Sequence, residues 1–104
     1  MNIVRRYIKE HTKKNGNKTY TAHVEVKGWW IYKRTFDVTG GQGVMGYIEP
    51  ELYERSNSRY NTFKGKHYSS EEEAQKFLDL AIKNQLEEEG EQEISSKIIK
   101  EMIH

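Results

Sequence analysis

The stretch from Thr19 to Lys27 alternates between apolar and polar side chains without a break, and it constrains the fold more than any other part of the chain. Tyr20, Ala22, Val24 and Val26 fall on one side, and Thr19, Thr21, His23 and Glu25 on the other. A period of two belongs to a strand with one buried face. A second β-rich run, Trp29 to Val38, follows at once, so Lys27-Gly28 reads as a two-residue hairpin turn. That turn places Val26 opposite Trp29, Val24 opposite Ile31 and Ala22 opposite Lys33 on the buried side, with Lys33 at its rim. The outer side then carries Glu25 beside Trp30, His23 beside Tyr32, Thr21 beside Arg34, and Phe36 further on. Such a face is aromatic and basic. A slip of one residue would exchange the two faces, so the assignment depends on the turn.

Other elements follow from punctuation. Lys13 to Lys18 is a polar turn around Asn15-Gly16. Before it, Ile3, Val4, Tyr7 and Ile8 suit either a short helix or an edge strand, and the edge strand is the expectation adopted. Between Val38 and Tyr60 the periodicity fails, and Thr39 to Gly46 reads as a mobile, glycine-rich connection. Pro50 is expected to open one helical turn through Tyr53 or Glu54. Arg59 to Tyr68 reads as a third strand with a turn at Gly65. Ser69 or Ser70 then caps a helix, with Glu72 or Glu73 closing a capping box and Glu71 to Glu73 suiting its positive end. The helix runs to about Glu89 and stops at Gly90, with Ala74, Phe77, Leu78, Ala81, Ile82 and Leu86 as its apolar face. A second short helix is expected over Glu91 to Ile103.

A length of 104 residues gives one domain and one core. The parts are a basic strand-rich body (1–68), a main helix (69–89) and an acidic helical extension (91–103). The fold class is α+β: a three-stranded antiparallel sheet, four-stranded with the N-terminal edge, packed on one long helix with a short C-terminal helix. Charge is segregated along this order. Met1 to Ser70 holds thirteen Lys/Arg against six Asp/Glu, a net of +7, and the remainder holds four against ten, a net of −6. A cationic pole of this kind favours a polyanionic partner.

The same composition narrows the chemistry. Without cysteine there is no disulfide, thiolate chemistry or cysteine-ligated zinc, which fits a reducing compartment. No signal peptide or membrane span is found, so a cytoplasmic protein that does not engage a membrane is expected. His11, His23, His67 and His104 lack metal-ligand spacing, so neither a metal nor a cofactor is expected. No nucleophile, base and oxyanion donor can be matched, so no catalytic residue is assigned and an enzyme is not expected. Gly41, Gly43 and Gly46 spell G-x-G-x-x-G, but no βαβ unit surrounds them and no long helix opens after Gly46, which favours a flexible loop over a dinucleotide site. The acidic clusters at Glu71 to Glu73 and Glu87 to Glu89 are simplest as a helix cap and a solvated helix end.

The stronger signal is cations interleaved with rings in Trp29 to Arg34 and Arg59 to Tyr68. Lys and Arg attract phosphates while flat rings stack on bases, so DNA or another nucleic acid is the expected partner. The competing reading is that these aromatics build the core of a small domain poor in aliphatics. Thr19-Tyr-Thr-Ala-His-Val-Glu-Val-Lys-Gly28, Ile31-Tyr-Lys-Arg-Thr-Phe36 and Tyr68-Ser-Ser-Glu-Glu-Glu-Ala-Gln-Lys-Phe77 together resemble the AP2-like DNA-binding domain that opens many phage and transposon integrases. That resemblance covers about half the chain. It implies three antiparallel strands on a C-terminal helix, with the outward sheet face in the major groove. It also implies DNA-facing roles for His23, Trp30, Tyr32 and Arg34, with Lys27 and Lys33 as flanking phosphate contacts.

The basic and aromatic run adds Arg59, Lys64 and Lys66 to the expected nucleic-acid-binding set. The expected function is thus an accessory DNA binder of a phage or mobile element. The rival is a protein-binding modulator or inhibitor of a host enzyme, anchored by Trp30, Tyr32, Tyr53 and the C-terminal helix. Ile94, Ile98 and Met102 form an apolar stripe on that helix and predict a homodimer or partner interface.

Overall fold

The computed structural model describes residues 1–43, 46–55 and 65–91, together with positions 97, 99, 100 and 102. Four strands, β1 (Ile3–Thr12), β2 (Lys18–Lys27), β3 (Lys33–Gly43) and β4 (Gly46–Glu54), precede one helix, α1 (Glu71–Glu91). They form one antiparallel sheet in the order β1-β2-β3-β4. The helix covers one face, so the class is α+β with the N-terminal segment as an edge strand. The Asn15-Gly16 turn is where the sequence puts it: Lys18 pairs with Thr12, and Gly16 takes φ +87°, where a side chain would be strained.

The core lies between sheet and helix. Ala22, Val24 and Val26 from β2 and Val38 from β3 meet Ala74, Phe77, Leu78, Ala81 and Ile82 of α1, with Tyr68 beside them. This is the apolar face expected of both β2 and α1, except that Leu86 is exposed. The helix start is also as expected. Ser70 Oγ accepts from the Glu73 backbone N–H at 3.1 Å, and Ser69 Oγ donates to Glu73 at 2.7 Å. Gly90, the expected stop, lies inside the last turn.

The β2–β3 register differs from the expected one. Lys27 pairs with Lys33, Val26 with Arg34, Val24 with Phe36 and His23 with Asp37. The connection is the five residues from Gly28 to Tyr32 rather than a turn at Lys27-Gly28. It is closed by the Gly28 N–H donating to the Tyr32 carbonyl at 2.8 Å and the Tyr32 N–H donating to the Trp29 carbonyl at 3.2 Å. The pairing moves by an odd number of positions, so every β3 residue changes face. Thr35, Asp37 and Thr39 look outward, while Phe36 joins the core side and Trp30 and Tyr32 leave the sheet for the hairpin tip.

The glycine-rich segment also departs from expectation. Thr39 to Gly43 completes β3, and Gly46 begins β4. Gly40 and Gly41 are buried with φ +92° and +100°, at a break in the ladder between Thr39 and Gly41. Pro50 lies within β4 rather than opening a helical turn, a place proline can take because β4 ends the sheet order and Pro50 faces the break in the ladder between Thr39 and Gly41.

Of the third strand expected over Arg59 to Tyr68, residues 65–68 are described, and Tyr68 makes a single bridge to Tyr20. The Lys66 N–H donates to the Val38 carbonyl, so this short segment bonds to both β2 and β3 beyond the point where their own pairing ends at His23 and Asp37. Lys97, Ile99, Lys100 and Met102 are not in a helix, so the expected C-terminal helix is not shown. No helix among the described residues is long and apolar enough to cross a membrane.

Candidate functional site

The sheet face away from α1 is set by alternation. It takes Arg5, Tyr7, Lys9 and His11 from β1, Thr19, Thr21, His23, Glu25 and Lys27 from β2, and Lys33, Thr35 and Asp37 from β3. Its centre is a polar network. Asp37 only accepts, so the bond to His23 fixes the tautomer: Nδ1–H donates to Asp37 Oδ1 at 2.6 Å. The bare Nε2 accepts the Thr21 hydroxyl at 2.6 Å, and Thr21 Oγ1 in turn accepts from His11 Nε2–H at 2.8 Å. Arg55 closes the other end as a fork, donating from Nη2 to Asp37 Oδ1 at 2.6 Å and from Nε to Oδ2 at 3.2 Å. Tyr7 stacks on the His23 ring at 4.9 Å, and the Arg5 guanidinium lies 4.4 Å above Tyr7.

Electrostatics follow from this packing. Burial lowers the His23 pKa below its ordinary value, and the neighbouring Asp37 opposes that only in part. Burial pushes Asp37 upward, yet the hydrogen bonds from Arg55 and His23 outweigh it and leave the carboxyl below the usual range. The Thr21, His23 and Asp37 order resembles a nucleophile, base and orienting acid. However, Thr21 is only 3% exposed and its hydroxyl is shared between two imidazoles. That arrangement ties β1, β2 and β3 together and presents no free nucleophile.

Around this plug the face is cationic. Lys27 and Lys33 stand directly opposite each other at the end of the β2–β3 ladder, and both are exposed. Neither has a counter-ion among the described residues. Arg5 and Lys9 continue the positive charge along β1, Arg5 lying 3.7 Å from Glu25. On the far side of the sheet, α1 carries eight acidic residues against Lys76 and Lys83. Part of the charge segregation of the sequence thus lies across the sheet, with Arg5, Lys9, Lys27 and Lys33 on one side and the acidic helix on the other, while Arg6 and Arg34 fall on the helix side.

At the tip of the β2–β3 hairpin, Trp29, Trp30, Ile31 and Tyr32 are 84%, 74%, 79% and 67% exposed. The structure therefore divides the expected site. Lys27, Trp30, Tyr32 and Lys33 sit together at one end of the hairpin. His23 is buried in the network at 4% exposure rather than facing solvent. Arg34 lies on the helix side and is held by Glu54 through two bonds of 2.7 Å. Lys66 is half-buried, its Nζ donating to the Gln42 carbonyl and lying near the Tyr68 ring. Arg59, Lys64, Ile94 and Ile98 fall outside the described residues, and Met102 is exposed.

Asp37, Arg55, Thr21, Tyr7, Arg5 and Lys9 were not singled out from sequence. Alternation along Arg5, Tyr7, Lys9 and His11 is the visible signal for the three on β1, and the alternation of β2 already gives Thr21 its outward side. The described residues bring no three His, Asp or Glu side chains into a metal-binding group. Comparison with known proteins finds no matching family model, no matching curated protein and no matching solved structure.

Proposed function

We propose that this chain is a non-enzymatic nucleic-acid-binding accessory protein whose outward sheet face receives a phosphate backbone on the cations around its buried centre. The observation that carries the reading is the cross-strand pair Lys27 and Lys33, set on the same face as Arg5 and Lys9 and opposite the acidic helix. Like charges directly opposite in an antiparallel pair repel, so an anion between them removes a cost that the free protein bears. The resemblance to the AP2-like domains of phage and transposon integrases agrees with this use of the outward face, and it suggests a phage or mobile element as the setting. On this reading the phosphate contacts are Lys27, Lys33, Arg5 and Lys9 rather than His23 and Arg34, whose side chains are bonded to Asp37 and Glu54.

The rival, a modulator of a host enzyme, is favoured by one observation, the exposed rings of the hairpin tip together with exposed Tyr53. A charge-reversal experiment separates the two. With labelled oligonucleotides at low salt, Lys27→Glu combined with Lys33→Glu is expected to weaken binding by at least about tenfold. Lys76→Glu with Lys83→Glu, on the helix behind the sheet, should stay within about twofold, because exposed charges a Debye length away are screened. Equal effects of the two pairs, or no binding by the wild type, would reject the sheet face as the interface.

A further inference from the structure

The hairpin tip exposes four consecutive large apolar side chains, an arrangement uncommon on a free protein. The tip is held in shape by two backbone hydrogen bonds, Gly28 to Tyr32 and Tyr32 to Trp29. A Cβ on Gly28 would come within 2.7 Å of the Tyr32 carbonyl oxygen, so the turn requires glycine there. Trp30 has φ +62°, a left-handed conformation that bulky side chains avoid and that the five-residue turn holds. The Trp29 and Trp30 rings have centroids 6.1 Å apart and are tilted by 48°, so they do not cover each other's faces. At the base of these rings stand Lys27 and Lys33.

We propose that Trp29, Trp30 and Tyr32 form a stacking platform for unpaired bases, with Lys27 and Lys33 holding the phosphates of the same nucleotides. The inference rests on the nucleic-acid reading above and names its substrate: a single strand or an unpaired end rather than an intact duplex. Every base has an apolar face, but in a duplex those faces are already stacked; in a single strand they are free to meet rings, and their phosphates stand beside them. A lipid surface also offers phosphate near apolar matter. It would meet only the tip, however, and leave Arg5 and Lys9 unused, whereas a strand lying along the sheet face reaches both.

The chain contains two tryptophans, and both are in the tip, so intrinsic tryptophan emission reports on this site alone. The full chain is titrated with a homopyrimidine single strand, a blunt duplex of equal length, and vesicles of phosphatidylserine and phosphatidylcholine, with strand anisotropy followed in parallel. The single strand is expected to quench the emission as it binds and to bind about tenfold more tightly than the duplex. Trp29→Ala with Trp30→Gly, glycine accepting the positive φ, is expected to abolish that preference while leaving duplex binding in place. Equal affinity for both nucleic acids with unchanged emission would overturn the platform and leave the sheet-face reading standing. No nucleic-acid binding at low salt would overturn both. A blue shift with vesicles and none with the single strand would overturn the platform in favour of a lipid surface.

Discussion

Alanine at Gly40 is expected to destabilise the fold by about 3 kcal/mol, the sum of a left-handed backbone cost and overpacking against atoms that cannot move aside. Gly40 is buried with φ +92°, and a Cβ there would lie 2.5 Å from the Glu49 carbonyl oxygen and 3.0 Å from Pro50 Cα. Both are backbone atoms of the neighbouring strand β4, so relief would require parting β3 from β4. Gly41→Ala meets a side chain instead, the Phe77 ring at 2.9 Å, and should cost somewhat less because Phe77 can shift against Tyr68. Gly16→Ala is the control: its φ is +87° but nothing lies within 4 Å, so only the backbone cost of about 1 kcal/mol applies. Urea denaturation of the three variants checks the order. Equal midpoints for Gly40→Ala and Gly16→Ala would contradict the close strand approach.

Loss of Asp37 should be of similar size. Its carboxylate receives His23 and the Arg55 fork, and it is 3% exposed, so Asp37→Ala strands one buried ring and one guanidinium at once. Breaking a buried pair by removing one partner costs about 3 to 5 kcal/mol, and the lower end applies because the Arg55 side chain is 40% exposed. The same network gives a pH signature. The folded-state pKa of His23 is depressed, so its contribution is fully present above the unfolded value of 6.5 and is lost as pH falls below that value through the folded one. The groups facing it are Asp37, which favours the charged ring, and Arg55 and Lys9, which oppose it. Asp37, also depressed, adds a second loss at lower pH, below 3.8. The contribution of this network to stability is therefore expected to be flat above pH 6.5 and to decline in two stages on acidification. His23→Asn should remove the first stage, measured by denaturation at successive pH values; a first stage unchanged in that variant would contradict the buried neutral ring.

How far the sequence revealed this arrangement depends on whether the governing interaction was local. Ser70 and Glu73 identified the start of α1 because a cap is made within one helical turn. The alternation of Thr19 to Lys27 identified which β2 side chains meet the helix, since a half-buried strand writes its two faces directly into its order. The hairpin register was not legible. Lys27-Gly28 has the chemistry of a two-residue turn, and nothing in the order of residues shows that Trp30 takes the left-handed place usually given to glycine. The consequence was large because the turn grew by an odd number of residues, moving Phe36 inward and carrying Trp30 and Tyr32 to the tip.

The glycine segment misled for a different reason. Gly40 and Gly41 lack side chains because β4 and Phe77 approach them closely, so the absence of a hydrophobic pattern reflected tight packing rather than mobility. Asp37 and Arg55 could not be joined to His23 from sequence because their contacts span fourteen and thirty-two positions. Of the expected site, Lys27 and Lys33 carry over as exposed neighbours. Their meeting at one rung follows from the longer turn.

The salt dependence of nucleic-acid binding tests the central claim most directly. If Lys27, Lys33, Arg5 and Lys9 each neutralise one phosphate, the logarithm of the association constant for a single strand should fall against the logarithm of salt concentration with a slope of about −3. A slope near zero, or no binding at the lowest salt, would contradict an interface built on the cationic face of the sheet.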